Sequence, residues 1–321
     1  EGTLRQSLFC FLRNPVETGE EKQRWYYTSV YESLIVGEDS NLDIFLQLKD
    51  ILDKVFYQKE DTFLKDTIFV DHENYYKKLK KLHAQKMELQ KLKALVTLPK
   101  PFVIEFSGTP RTGKTTTIHN LYDFFKKGGF DVSLIEEFTT SSYYKEELKE
   151  KIKDMGVGER NIFIAEEVYK QLEDSIHSFK DIILIDRSLN DRQIWNYRRL
   201  LSGDIKEEKY LYLRDRYQKA SKEDIDFLVI TYADPIVALK RDYVSSLALE
   251  KRSFLNYDNI DLFNQSLDSL KDLFEESVDS YMLVDTSDMS MNDVSLRVAS
   301  EILPVMRKKY IKSFKDKYHL K

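Results

Sequence analysis

The chain is 321 residues long, with 42% hydrophobic residues, 33% charged residues and a formal net charge of -5 at pH 7. This length allows one or two domains with a sizeable core, and the acidic balance argues against a general nucleic-acid coat protein. No apolar run approaches the roughly 20 residues of a membrane span, and no signal pattern opens the chain, so we expect no membrane segment and no secretion signal. The only cysteine, Cys10, excludes an intramolecular disulfide and favours a reducing, cytoplasmic setting.

The first 97 residues are predicted to form a mainly helical accessory domain. An apolar stripe at helical spacing covers 42–52, and a longer candidate helix over 73–96 ends before the prolines of Leu98-Pro-Lys-Pro101. These residues contain no nucleophile, metal or phosphate signature, so we expect them to bind a protein partner or to select the substrate of a second domain over 98–321, against which they pack, rather than to form a second enzyme. Lysines concentrate from Lys77 to Lys93, which predicts either a solvated helix face or a contact to nucleic acid or an acidic partner.

The second domain opens with a strand followed by a phosphate loop. The apolar run Phe102 to Phe106 leads into GTPRTGKT, a complete GxxxxGK[ST] pattern, and a helix is predicted to start near Lys114. Backbone N–H groups of such a loop surround polyphosphate oxygens, the lysine reaches the β- and γ-phosphates, and the Thr115 hydroxyl binds Mg²⁺. We therefore expect ATP or another NTP, with Mg²⁺, to bind Gly108, Thr109, Pro110, Arg111, Thr112, Gly113, Lys114, Thr115 and Thr116.

Short apolar runs alternate with helical patterns through the rest of this domain. The runs are Asp131 to Ile135, Asp181 to Ile185, Phe227 to Thr231 and Tyr281 to Val284. Apolar strands that alternate with helices predict a parallel sheet covered on both faces. The expected fold class is α/β, a P-loop NTPase three-layer sandwich with a mainly parallel five-stranded sheet, preceded by the N-terminal helical domain.

Charged residues follow the second and third of the five predicted strands, where ligands bind in sheets of this kind. Glu136 and Glu137 follow one strand, and either of them is suited to accept a proton from a substrate hydroxyl. Asp186 and Arg187 end the other strand, with Arg192 further on. The aspartate is a candidate Mg²⁺ ligand and an arginine would neutralise a transferring phosphoryl group. Many ATPases carry Asp-Glu here, so Asp-Arg favours transfer to an acceptor over hydrolysis.

Residues of about 101–305 resemble the thymidylate kinase and deoxynucleoside kinase group. The phosphate loop is similar to the subtype with an arginine inside the loop, at Arg111, and Ile185-Asp-Arg-Ser188 is similar to the motif that ends the third strand. The segment Leu134 to Phe138 resembles the one in which the family carries a functional glutamate, with Glu137 as the better match, and Asn161 to Val168 resembles the acceptor-site helix. The chain departs from the family at Pro110, Phe138 and Glu167, where an acid, a proline and an arginine are usual.

A later segment, Ala233 to Arg241, is similar to the helix that leads to the lid of these kinases. The resemblance implies that Arg241, Lys251 and Arg252 are candidate lid cations that cover ATP. It also implies a catalytic set, which consists of Lys114, Arg111, Glu137, Asp186 and Arg187, with Thr115 and Asp186 at the metal.

The leading hypothesis is therefore an ATP- and Mg²⁺-dependent kinase whose acceptor is a nucleoside, a nucleotide or a similar small molecule. A second hypothesis is an NTP-binding switch or toxin-like effector, in which the helical domain binds a partner and the nucleotide state gates it. A third is a kinase of nucleic-acid ends, suggested by the lysine-rich segments.

Overall fold

The structure, a computed structural model, describes residues 72–319 apart from 142–143, 145–147, 149 and 247–255. The helix predicted over 42–52 and the candidate lid residues Lys251 and Arg252 lie outside the described residues. No helix in the described part of the chain is long and apolar enough to cross a membrane.

Five strands form the centre of the fold, and each coincides with a predicted apolar run to within two residues. They are β1 Phe102–Gly108, β2 Val132–Ile135, β3 Ile182–Asp186, β4 Phe227–Tyr232 and β5 Tyr281–Asp285. All neighbouring strands pair in parallel, in the order β2-β3-β1-β4-β5. The strand that carries the phosphate loop is thus the middle strand, and its residues from Phe102 to Gly108 are all buried.

The helices that surround the sheet begin with α1 His72–Leu95 and α2 Lys114–Lys127, which precede and follow β1. The others are α3 Val157–Ile176, α4 Leu189–Leu201, α5 Glu207–Asp224, α6 Pro235–Ser246, α7 Tyr257–Ser269, α8 Lys271–Ser277 and α9 Met291–Lys317. A short 3₁₀ helix, Phe138–Thr140, follows β2.

Alternate residues of the strands face two separate hydrophobic cores. On β1, Phe102, Ile104 and Phe106 pack with α1, α2 and α9, whereas Val103 packs with α3, α4, α5, α7 and α8 on the other face. This alternation follows from the two-residue period of a strand. The predicted three-layer α/β sandwich of the P-loop NTPase type is therefore confirmed.

The chain divides into two compact units, Glu1–Lys81 and Leu82–Lys321, and most of the first lies outside the described residues. From Leu82 onwards, α1 packs into the core that it shares with α2 and α9. Gln90 donates a hydrogen bond to the carbonyl oxygen of Gly128 at the end of α2. The last turns of α1 thus contribute to the core of the second unit, while a separate role for residues 1–97 stays a prediction.

We expect Leu89→Ala to lower the free energy of unfolding by about 2–5 kcal/mol, because Leu89 is fully buried and its removal leaves a cavity. Met87→Ala on the same helix is the matched control, since Met87 is 42% exposed, and it is expected to change stability by less than about 0.5 kcal/mol. Urea unfolding measures both. Equal effects of the two substitutions would contradict the packing of α1 described above.

Candidate active site

The phosphate loop connects β1 to α2, and two glycines fix its path. Gly108 has a φ of 119°, and a Cβ built on it would lie 1.9 Å from the backbone oxygen of Thr231, so only glycine fits. Gly113 has a φ of 86° and immediately precedes the first turn of α2. Arg111 also has a positive φ, 63°, which is uncommon for a residue with a side chain. The loop is thus a tight turn in which Gly108, Arg111 and Gly113 all have positive φ angles.

Lys114, the first residue of α2, folds back over this loop. Its Nζ donates to the backbone oxygens of Gly108 at 2.9 Å and Thr109 at 2.6 Å. Burial, reinforced by the positive charge of Arg187, lowers the pKa of Lys114 to about 7. A polyphosphate in the loop would favour the charged ammonium, because an opposite charge nearby stabilises it.

The threonines of the loop divide into buried and exposed pairs. The buried Thr112 hydroxyl donates to the backbone oxygen of Thr109 at 2.9 Å and lies 2.6 Å from the hydroxyl of Thr231 on β4. Thr115 and Thr116 are exposed at the start of α2. The Thr112 hydroxyl therefore holds the loop against β4, whereas Thr115 and Thr116 remain accessible to solvent.

The first exposed threonine, Thr115, meets the end of β3. Its Oγ1 donates to Oδ2 of Asp186 at 2.8 Å, while Oδ1 of Asp186 is buried and has no hydrogen-bond partner among the described residues. Burial raises the pKa of Asp186, and the charges of Lys114 and Arg187 oppose this effect. Mg²⁺ in phosphotransferases needs few protein oxygens because phosphates and water supply the rest. A threonine hydroxyl beside a carboxylate with a free oxygen fits that requirement.

Arg187 follows Asp186 and lies between two carboxylates. Its Nε is 3.4 Å from Oε2 of Glu137, and its Nη1 is 3.2 Å from Oδ1 of Asp191. The φ of Arg187 is 66°, so this residue also occupies the left-handed region. Glu137 accepts a further hydrogen bond from Thr139 at 3.1 Å, whereas Glu136 is exposed. The structure thus brings Glu137, Arg187 and Asp186 together and places Glu136 in a more exposed position.

Asp191, which the sequence analysis missed, holds this arginine in place. It is fully buried and accepts hydrogen bonds from the Ser107 hydroxyl at 3.0 Å and from Arg192 at 2.9 Å, in addition to Arg187. Burial opposes its ionisation, but the positive charges of Arg187 and Arg192 outweigh burial and lower the pKa of Asp191. One buried carboxylate therefore orients both arginines.

Glu105, in the middle of β1, is a second residue that the sequence analysis missed. Its Oε1 accepts from the backbone N–H groups of Ser188 and Asp191, each at 3.0 Å. Its Oε2 accepts from Asn190 through the backbone N–H at 3.3 Å and the side-chain amide at 2.8 Å. Ser188 gives α4 no side-chain cap, so this carboxylate from a neighbouring strand satisfies the open N–H groups. A charged residue inside an apolar strand was the available signal.

The helix that resembles an acceptor-site helix, α3, contacts α4 through buried amides. Asn161 donates to Oδ1 of Asn196 at 2.6 Å, and both side chains are at least nine-tenths buried. Glu167, where the resembling family has an arginine, instead forms an ion pair with Lys170 one turn along α3. The polar link between α3 and α4 therefore comes from asparagines rather than from the position of the family's arginine.

Arg241, a candidate lid cation, is bound to the segment that follows β5. Its Nη1 donates to Oγ1 of Thr286 at 3.0 Å, and its Nη2 donates to the backbone oxygen of the same residue. Burial lowers the pKa of Arg241. In this arrangement the arginine braces α6 against the chain after β5, and its role as a lid cation over ATP stays a prediction.

The chain matches no protein-family model and no curated protein sequence at a significant level. Among solved structures it is similar to deoxyadenosine kinase from M. mycoides with bound dATP, at 17% sequence identity. The match covers 63% of this chain and 100% of that one, with a TM-score of 0.43.

The stability deficit of Glu105→Gln should depend on pH. Burial raises the pKa of Glu105 to about 7 from its ordinary 4.5. The folded protein therefore binds an extra proton between those values, and the contribution of Glu105 to stability falls as the pH rises through this window. We expect the deficit to be larger at pH 5 than at pH 8, as measured by urea unfolding. The exposed Glu301→Gln is the matched control, and a deficit that stays constant with pH would contradict the shift.

Proposed function

We propose that this chain is an ATP- and Mg²⁺-dependent phosphotransferase that acts on a small acceptor such as a nucleoside or a nucleotide. The observation that carries the proposal is the 2.8 Å contact between the Thr115 hydroxyl and Asp186, whose other oxygen has no partner among the described residues. This pair lies at the end of a phosphate loop that also holds the buried ammonium group of Lys114. The hydroxyl and carboxylate oxygens are suited to Mg²⁺, and the neighbouring loop with its lysine is suited to phosphates. Together they fit a complex of Mg²⁺ with a polyphosphate.

Each group has a role in this proposal that follows from its position. The loop N–H groups and the N-terminus of α2 bind phosphate oxygens, and Lys114 exchanges its loop carbonyls for the β- and γ-phosphates. Thr115 and Asp186 hold Mg²⁺, which supplies positive charge to the phosphates when it is bound.

Arg187 and Arg111 stabilise the negative charge of the transferring phosphoryl group. Phosphoryl transfer has little covalent chemistry for the protein to perform, so the positioning of such charges supplies most of the catalysis. The ion pairs of Arg187 with Asp191 and Glu137 orient its guanidinium before any substrate binds. Arg111 lies within the loop itself, where the phosphates are expected.

Glu137 is the proposed acceptor-facing carboxylate. The oxygen of an acceptor hydroxyl forms a bond to the γ-phosphorus, the bond from that phosphorus to the bridging oxygen breaks, and ADP leaves. Glu137 takes the hydroxyl proton. If the acceptor is a nucleotide, its phosphate oxygen accepts the phosphoryl group without losing a proton. Glu137 would then only bind the sugar of that nucleotide. The contact with Arg187 supports this role, because Glu137 lies beside the arginine that is proposed to stabilise the transferring phosphoryl group.

The residue after Asp186 supports transfer rather than hydrolysis. A glutamate at that position would orient water, but Arg187 occupies it, and a guanidinium cannot accept a proton from water. The buried Asn161–Asn196 contact between α3 and α4 adds neutral polar groups on the side of the sheet that also carries Glu105. Neutral amides suit a small acceptor with several hydrogen-bonding groups.

Lys114→Ala should reduce phosphoryl transfer by at least ~10²-fold, because no other loop side chain is expected to bridge the β- and γ-phosphates. The assay incubates the protein with radiolabelled ATP, Mg²⁺ and pooled nucleosides, nucleotides and sugars, and identifies the compound that gains label. Lys127→Ala, at the exposed far end of α2, is the matched control. Near-normal transfer by a folded Lys114→Ala protein would exclude the loop from catalysis, and absence of a labelled acceptor with the wild type would favour a nucleotide-gated switch.

Glu137→Gln should lower kcat by ~10²-fold while ATP binding is retained, since the amide keeps the shape but cannot take a proton. The adjacent Glu136→Gln is the matched control, because Glu136 is exposed. The measurement is kcat with the labelled acceptor, together with the ATP dissociation constant. The opposite ranking of the two variants would assign the role to Glu136.

A further inference from the structure

Asn264 on α7 joins the phosphate loop to the end of β4. Its Nδ2 donates to the backbone oxygen of Ala233 at 2.9 Å, and its Oδ1 accepts from the Thr109 hydroxyl at 2.5 Å. A backbone oxygen can only accept, so the amide nitrogen must face Ala233 and the amide oxygen must face the loop. The two contacts therefore fix the side chain in one orientation.

Thr109, the residue that Asn264 holds, also forms hydrogen bonds with Thr231, Thr112 and Lys114. It is fully buried, and its N–H donates to the backbone oxygen of Thr231 at 2.9 Å. Its own backbone oxygen accepts from the Thr112 hydroxyl at 2.9 Å and from Nζ of Lys114 at 2.6 Å. A change in the orientation of Thr109 therefore moves the carbonyl on which the Lys114 ammonium rests.

We propose that Asn264 is a positioning residue for the nucleotide site, acting through Thr109 and Lys114 rather than by contact with the nucleotide. The inference rests on the proposed function, because it concerns the same site. Asn264 makes the shape of the loop depend on α7, the helix from Tyr257 to Ser269. Nucleotide affinity is thereby coupled to the position of α7.

A positioning role of Asn264 can be distinguished by experiment from a purely structural role in the packing of α7. A structural role lowers the melting temperature but leaves nucleotide affinity unchanged in the folded fraction. A positioning role raises the dissociation constant of the nucleotide. Loss of one buried hydrogen bond of this kind is expected to weaken binding by ~10-fold.

A double-mutant cycle between the two side chains is the test. Thr109→Val removes the donor with little change of volume, Asn264→Leu removes both contacts of the amide, and the double variant combines them. Isothermal titration calorimetry measures the dissociation constant of a non-hydrolysable ATP analogue with Mg²⁺, and a thermal scan measures folding. The matched control is Gln265→Ala, whose exposed side chain donates a hydrogen bond to Asp261 of the same helix.

We expect each single variant to bind ~10-fold more weakly, and the double variant to bind no more than about twofold more weakly than Asn264→Leu, because both act on one contact. Thr109→Ser, which retains the hydroxyl, should bind more tightly than Thr109→Val. Effects that multiply in the double variant, or a folded Asn264→Leu that binds as tightly as the Gln265→Ala control, overturn the inference. Failure of the wild type to bind the analogue overturns the proposed function as well.

Discussion

The carboxylate of Glu105 is the contact on which the arrangement of this site depends. It lies three residues before Gly108 on β1, so one strand carries both the phosphate loop and the acceptor for the open N–H groups at the start of α4. The segment that it holds includes Ser188 and Asp191, next to Arg187. The distance between the loop and the arginines is therefore set inside the sheet core, where packing is dense and positions vary little.

Charges in this region are buried in compensating sets. Lys114, Arg187 and Arg192 lie among the carboxylates of Asp186, Asp191 and Glu137. Removing one member would leave an uncompensated charge in a poorly solvated site, which is far more costly than losing a surface pair. Such an arrangement is already organised before a substrate enters, and in the proposed reaction it would act on developing charge without the reorientation that water would need.

Local features were predictable from the sequence, and features that join distant residues were not. The strands were predicted from apolar runs and the phosphate loop from an eight-residue pattern, because each of these signals lies within one short segment of the sequence. Glu105 meets α4 across 83 residues of sequence, and Asn264 meets Thr109 across 155. The spacing of apolar residues along the chain does not predict contacts between such distant residues. Sequence similarity suggested Arg241 as a lid cation, but its hydrogen bonds to Thr286 could not be predicted from that similarity, because they depend on how β5 lies beside β4.

The left-handed conformations of Arg111 and Arg187 bear on how this chain can be made more robust. A side chain in that region costs roughly 1–2 kcal/mol, a penalty that glycine escapes. Replacement by glycine at either position relieves backbone strain and at the same time discards a cation from the site. The loss of Arg187 also takes a partner from the buried carboxylate of Asp191, which costs more than the strain that is relieved. Selection for heat resistance alone therefore retains Arg187 in its left-handed conformation, and a library enriched by survival at high temperature would keep this arginine even if it had no role in the site.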